Sequence, residues 1–476
     1  MRSRRGWPAA NGPEASAVAD PLSEGDTNLG RRRAAWQAEH VGPAGAALLA
    51  RDGAVFLRQS LSTPCLSTIR RAEGIWIEDA DGRRTMDFHG NSVHHLGHGH
   101  PRVIAAIRRQ LDDLAFAPRR FTCEPAVQLA ERLLALAPPA FRDGRVLFVP
   151  GGSEAIEVAL KLARVATGRF KTVSFWDAFH GAGFGASSVG GEALFRSGGI
   201  GPLLPGAEHV PPFACFRCPF GFPQPSGRPD LELCRLACAR TLTYTLGREG
   251  DVAAVVAEPI RAVPYLPPPG FWADVRAACD EHGTLMIFDE ITTGLGKTGR
   301  LFASDHAGVA PDLLVLGKSL GGGILPLAAV LARPGLDAAG DLALGHYTHE
   351  KNPVLAAAAL ALLDVIVEDG LAERAAELGA YALAQLQERL ADRPLVGEVR
   401  GQGLLLGIEL VRPDGEPATD AAEAALYAAL ARGLSFKLTM GSVLTLSPPL
   451  IIAREDLDRA IDIVVASIDD ASRAVP

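Results

Sequence analysis

Thr284-Leu285-Met286-Ile287-Phe288-Asp289-Glu290 is an apolar run that stops on two acids. A short, uninterrupted apolar run with no polar alternation suits a strand covered on both faces. Working outward, Ala253–Ala257 and Leu313–Leu316 have the same character, and upstream so do Arg145–Val149 and Thr172–Phe175. Between them lie helical patterns over 154–165 and 272–282. Strands alternating with helices predict an α/β fold built on a parallel sheet with helices on both faces. Ligands of such sheets sit at the carboxyl ends of the strands.

The flanks read differently. Ile75–Glu78 and Arg84–Phe88 surround Asp79-Ala80-Asp81-Gly82, which predicts a hairpin with a glycine turn. Helices are predicted over 101–114 and 127–136. On the C-terminal side, helices are expected over 352–367, 371–390 and 455–468, and strands over 403–411 and 443–447. The expected organisation is a disordered tail (1–41), an N-terminal segment of a small domain (42–100), a large cofactor-binding domain (101–355) and a C-terminal small α+β domain (356–476).

With 476 residues, 48% of them hydrophobic, the chain can bury a sizeable core. A net charge of −8 argues against nucleic acid or an anionic membrane as partner. No apolar run is long enough to span a bilayer, and the Arg-rich start lacks the apolar stretch of a secretory signal. A cytoplasmic protein is expected. Seven cysteines do not make a disulfide scaffold. Cys215-x2-Cys218 and Cys234-x3-Cys238 have a spacing compatible with zinc, but Cys234 and Cys238 read as i, i+4 on a partly apolar helix. Reduced, mostly buried thiols are expected there, and no metal.

The strand ends carry chemistry. After 145–149 come Gly151-Gly152-Ser153 and a helix, either a phosphate cradle or an ordinary capped turn. After 284–288 comes Asp289, either a partner for a protonated pyridine nitrogen or a buried ion pair. After 313–316 comes Gly317-Lys318-Ser319 and a glycine-rich loop. Its lysine is either a Schiff-base amine or a surface residue. After 172–175 comes Trp176-Asp177-Ala178-Phe179-His180-Gly181, where an aromatic ring either stacks on a flat cofactor or packs in the core. Each feature is weak alone. Together, at one edge of one sheet, they fit pyridoxal 5'-phosphate. Neither a G-x-G-x-x-G after the first strand nor a P-loop is present in the required place.

At this point the chain resembles the class III aminotransferases of the fold-type I pyridoxal phosphate enzymes, over about residues 60–470. The resemblance rests on Leu96-Gly97-His98-Gly99-His100-Pro101, Gly152-Ser153-Glu154-Ala155, Phe179-His180-Gly181, Glu258-Pro259, Asp289-Glu290, Gly317-Lys318, Asn352-Pro353 and Pro448-Pro449-Leu450. It implies a large domain with a mostly parallel seven-stranded sheet, plus a smaller α+β domain from the N- and C-terminal segments. It also implies that Lys318 holds the cofactor covalently and then moves the proton. Asp289 would pair with the ring nitrogen, Phe179 would stack, and Gly152 and Ser153 would hold the phosphate. Thr348 would reach the phosphate of a partner subunit, which implies a homodimer with shared active sites. His180, Glu258 and Thr292 would complete the cofactor's surroundings.

The departures matter as much. Where the family usually carries glutamine, this chain has Arg261 after Glu258-Pro259-Ile260, and Thr292 after Asp289-Glu290-Ile291. Arg119-Arg120 lies near where the family lines its entrance. Arginines beside the cofactor suit a phosphate, phosphonate or carboxylate on a small amine substrate. The combination looks like the phosphonate-degrading branch, the (R)-1-hydroxy-2-aminoethylphosphonate ammonia-lyases. On this reading Arg261, Arg119 or Arg120 clamps the anion. The alternatives are an ω-aminotransferase using a keto acid and a phospho-lyase acting on a phosphorylated amino alcohol.

Overall fold

The computed structural model describes residues 31–59, 62–196, 198–222 and 229–474. Most of the expected tail therefore lies outside the described residues. Its last part is a helix, Arg31–His40, with Trp36 and Arg33 buried. The Arg33 guanidinium donates to the Pro64 carbonyl at 2.8 Å, so a basic run that read as a solvated tail is docked.

Three short strands come first, β1 (Arg71–Glu73), β2 (Trp76–Glu78) and β3 (Arg84–Asp87). β2 and β3 form the expected hairpin, with Glu78 opposite Arg84. The central segment supplies β4 (Arg145–Val149), β5 (Lys171–Phe175), β6 (Ala207–Val210), β7 (Val252–Ala257), β8 (Leu285–Asp289), β9 (Leu313–Leu316) and β10 (Ala328–Ala332). They form one seven-stranded sheet in the order β4-β10-β9-β8-β7-β5-β6. The pairs from β9 to β6 are parallel, and β10 is antiparallel to both its neighbours. Every residue of β7, β9 and β10 is buried, the physical reason why β7 and β9 read as continuous apolar runs.

The C-terminal segment adds β11 (Val396–Gln402), β12 (Leu405–Leu410), β13 (Leu434–Ser435), β14 (Lys437–Thr439) and β15 (Val443–Leu446). β11, β12, β15 and β14 make a second, antiparallel sheet. β13 pairs in parallel with β3, so the segments before and after the large sheet meet in a third sheet. The helix Pro353–Glu368 begins at Asn352, whose side chain accepts from Val354 N at 2.9 Å and Leu355 N at 3.1 Å. Asparagine as cap with proline in the first turn is a strong local start signal, because proline's missing N–H is not needed there.

One local expectation fails. Cys234 and Cys238 do not share a helix: one ends at Cys234, the next starts at Ala237, and Arg235 and Leu236 between them are both left-handed, with φ of 48° and 50°. The periodicity of 231–238 is helical, but this break lies inside it.

Candidate active site

Asp289 ends β8, where the parallel sheet delivers it to the ligand edge. It is 4% exposed, and one carboxylate oxygen accepts from Ile291 N at 3.0 Å. The other lies 2.8 Å from Nδ1 of His180, itself 2% exposed. A carboxylate this buried needs such partners, since an uncompensated charge there costs several kcal/mol or more. His180 arrives from the loop after β5, and its Nε2 is buried without a partner. Gly181 next to it has φ of 126°, and a Cβ there would stand 2.8 Å from Ser153 Cα. Phe179-His180-Gly181 therefore needs its glycine for both conformation and close approach.

Lys318 follows β9 with a left-handed backbone, φ 47°. Such a conformation in a non-glycine residue is held by its surroundings and is common at functional sites. Its Nζ donates to Thr292 Oγ1. The helix Gly152–Thr167 opens behind Gly151 with no side-chain cap. A Cβ on Gly152 would come within 2.7 Å of Ile291 Cδ1, so a larger residue where this helix start meets the loop after β8 would force Ile291 to shift. Ser153 Oγ accepts from Gly183 N at 2.8 Å. The helix start thus keeps backbone N–H groups uncapped, as an anion cradle requires.

Phe179, Glu258, Arg261, Thr292 and Lys318 line a cavity of about 220 Å³; Asp289, His180, Gly152 and Ser153 are not among its lining residues. Glu258 accepts from Ala262 N at 3.0 Å. Burial pushes its carboxyl above the usual carboxylate range, and Arg261 opposes the shift. Arg261 is 3% exposed and lies in a tight turn bridged to Tyr265. Its Nη2 donates to the Asp177 carbonyl, and its guanidinium stands 5.5 Å from the Tyr265 ring. Its Nε and Nη1 are buried without partners.

One expectation is corrected. Arg119 and Arg120 are exposed and do not line the cavity, so this chain's own arginines at 119–120 do not join Arg261. They sit in a turn before the helix Glu124–Leu136, on the outside of the fold. Thr348 is exposed and also outside this chain's cavity. The residues that sequence reasoning missed come from elsewhere: His89, Asn91 and Ser92 after β3, Glu192, and Lys437, Thr445 and Ser447 from the C-terminal sheet. The alternation of β15 could have exposed Thr445 and Ser447, two residues apart. Lys437 carried no local signal. The four clustered cysteines, all free thiols, border one void of about 20 Å³. Among the described residues no group of His, Cys, Asp or Glu is arranged to hold a metal ion.

Asp289 for a ring nitrogen, Lys318 for a covalent bond and an uncapped glycine helix start for a phosphate fit pyridoxal phosphate. Comparison with known proteins agrees. Residues 58–468 match the family model described as aminotransferase class-III. The chain is 44% identical over 456 residues to the (R)-1-hydroxy-2-aminoethylphosphonate ammonia-lyase of Vibrio splendidus, covering 94% of this chain and 95% of that protein. It is 34% identical to the leucine/methionine racemase of Thermococcus litoralis, covering 89% and 95%. Its fold is similar to that of an amine transaminase from an uncultivated Pseudomonas species, solved with pyridoxal phosphate bound. The TM-score is 0.81 at 31% identity, covering 88% of this chain and 99% of that one. The chain belongs to the class III aminotransferase family and is a pyridoxal-phosphate-dependent enzyme of fold-type I.

Proposed function

We propose that this enzyme is an ammonia-lyase acting on a small anionic amine, (R)-1-hydroxy-2-aminoethylphosphonate, and yielding phosphonoacetaldehyde. The observation that carries the reading is Arg261: a buried guanidinium with two unpartnered donors, in the same cavity as the Lys318 amine. The likeness to the Vibrio splendidus enzyme along nearly the whole chain supports it.

Lys318 and Asp289 would hold the cofactor, with Gly152 and Ser153 at its phosphate, Phe179 over its ring, and His180 and Thr292 beside it. When bound, the cofactor supplies an electron sink for charge developing at the carbon that bears nitrogen. Asp289 keeps the ring nitrogen protonated, and His180 and Ile291 N hold Asp289 in place. The Lys318 amine, oriented by Thr292, takes the proton from that carbon. The neighbouring carbon loses its hydroxyl. Glu258, whose raised carboxyl keeps its proton to higher pH, is placed to donate to it, so that water departs. The unsaturated amine then takes up one water and gives the aldehyde and ammonia. Water is lost once and gained once, so the net change is loss of ammonia.

The working unit in this proposal is a homodimer, in which Thr348 of the partner subunit completes the phosphate site. The free thiols suit a reducing compartment, the cytosol. The test is ammonia release from 1-hydroxy-2-aminoethylphosphonate by the cofactor-loaded enzyme without a keto acid. Catalytic release is expected. Activity that starts only when pyruvate or 2-oxoglutarate is added would make it a transaminase instead.

A further inference from the structure

The proposed substrate carries a phosphonate dianion, with three oxygens and two charges. Arg261 answers only part of that demand. One of its nitrogens is engaged by the Asp177 carbonyl, which leaves two donors and a single positive charge. Among the described lining residues the other cations are Lys318 and Lys437. Lys318 is committed to the carbon that bears nitrogen.

Lys437 comes from a different sheet. It lies on β14 and pairs across the sheet with Thr445 of β15. Cross-strand partners share a face, and Thr445 and Ser447 follow each other at the strand's period of two. All three line the cavity. Thr439, two residues from Lys437 on the same strand, bonds its hydroxyl to that of Thr445 at 2.8 Å and fixes the face. The neighbours Phe436 and Leu438 are 4% and 2% exposed. A slip of one residue would turn both out of the core, so the register that aims Lys437 at the cavity is firmly set.

Resting on the proposed function, we infer that Lys437 is the second cation of the anion site: Arg261, from the turn after β7, and Lys437, from β14, grip the phosphonate together in the cavity that both line. The guanidinium fork takes two oxygens, and the compact ammonium takes the third. Lys437 is thereby the residue that selects a dianion over a carboxylate or a neutral amine.

The experiment compares wild type, Lys437→Met, Lys437→Arg and Arg261→Met as cofactor-loaded enzymes. It measures KM and kcat for 1-hydroxy-2-aminoethylphosphonate, and binding of inorganic phosphate and 2-aminoethylphosphonate by calorimetry. Loss of one charged hydrogen bond to the anion should raise KM by roughly 10–100-fold in Lys437→Met, with a smaller change in kcat. Phosphate binding should weaken by a similar factor, and Lys437→Arg should recover most of the loss. If KM and phosphate binding in Lys437→Met stay within about twofold of wild type, the inference is overturned. A wild type that releases no ammonia, yet binds phosphate in a Lys437-dependent way, would sink the lyase reading and keep the clamp. A wild type that neither turns over nor binds these anions would overturn both.

Discussion

In the floor of the site, Asp289 and His180 sit 2.8 Å apart, nearly without solvent and outside the cavity lining, where two parallel strands end. At its roof, Lys437 is half-buried on a three-residue strand of an antiparallel sheet, beside the hydroxyls of Thr445 and Ser447. The floor is built from groups that each have a fixed partner: Asp289 with His180 and Ile291 N, Lys318 with Thr292. Arg261, which also lines the cavity, has two buried donors, Nε and Nη1, with no partner in the protein. Within an enzyme family, preorganised groups generally do the shared chemistry, while contacts facing them choose the substrate. The relatives fit that division, because they include a racemase as well as a lyase on one fold.

Breaking the floor should have the largest effect. Lys318→Ala removes the amine that would both hold the cofactor and move the proton. Ammonia release should fall by about 10³-fold or more. After borohydride treatment and denaturation, wild type should retain the cofactor covalently and the variant should lose it. A variant that keeps either property would place the nucleophile elsewhere.

Asp289→Asn keeps the shape of the floor and removes its charge. Turnover should fall by roughly 10²–10³-fold, with the cofactor still bound, because the charge and not the volume is what stabilises a protonated ring nitrogen. Cofactor content measured by absorbance separates this outcome from simple loss of the cofactor. A variant within threefold of wild type would remove Asp289 from the chemistry.

The smallest effect sharpens the join between the two regions. Lys297, on the loop after β8, is fully buried and donates to the Pro448 carbonyl at 2.7 Å, just beyond Ser447 of the roof. Burial lowers its pKa from 10.5 to about 7. Between those values the unfolded chain binds more protons than the folded one, so this lysine makes stability rise with pH across that window. The contribution is complete above the unfolded value and is lost as pH falls toward about 7. The slope it adds is at most about 1.4 kcal/mol per pH unit. In Lys297→Met that slope should vanish. Thermal unfolding from pH 7 to 10 should show the wild type gaining on the variant as pH rises. A constant difference would mean that the lysine is charged throughout, with an anionic partner.

Much of the floor was legible because its signals are local. A buried strand makes a run of apolar residues, and the residue after it is delivered to the ligand edge, so Asp289, Lys318 and Glu258 could be named from order alone. Asn352-Pro353 could be read as a helix start for a similar reason, since cap and first turn are neighbours in the chain. β10 and β6 were not read as strands. Ala328–Ala332 is too rich in alanine to be told from a helix by periodicity, and Ala207–Val210 is a short, half-polar edge strand.

The sequence by itself determined the alternating architecture and the cofactor, because each follows from patterns within a few residues of one another. Only the tertiary structure decided that Arg119 and Arg120 stay on the surface, that Arg261 is buried with two donors to spare, and that Lys437, Thr445 and Ser447 close the cavity from another sheet. Lys437 lies 176 residues beyond Arg261 in the chain. Local alternation fixes which face each strand presents, but which side chains meet at that separation is set by the packing of one sheet over another, which the neighbouring residues do not encode.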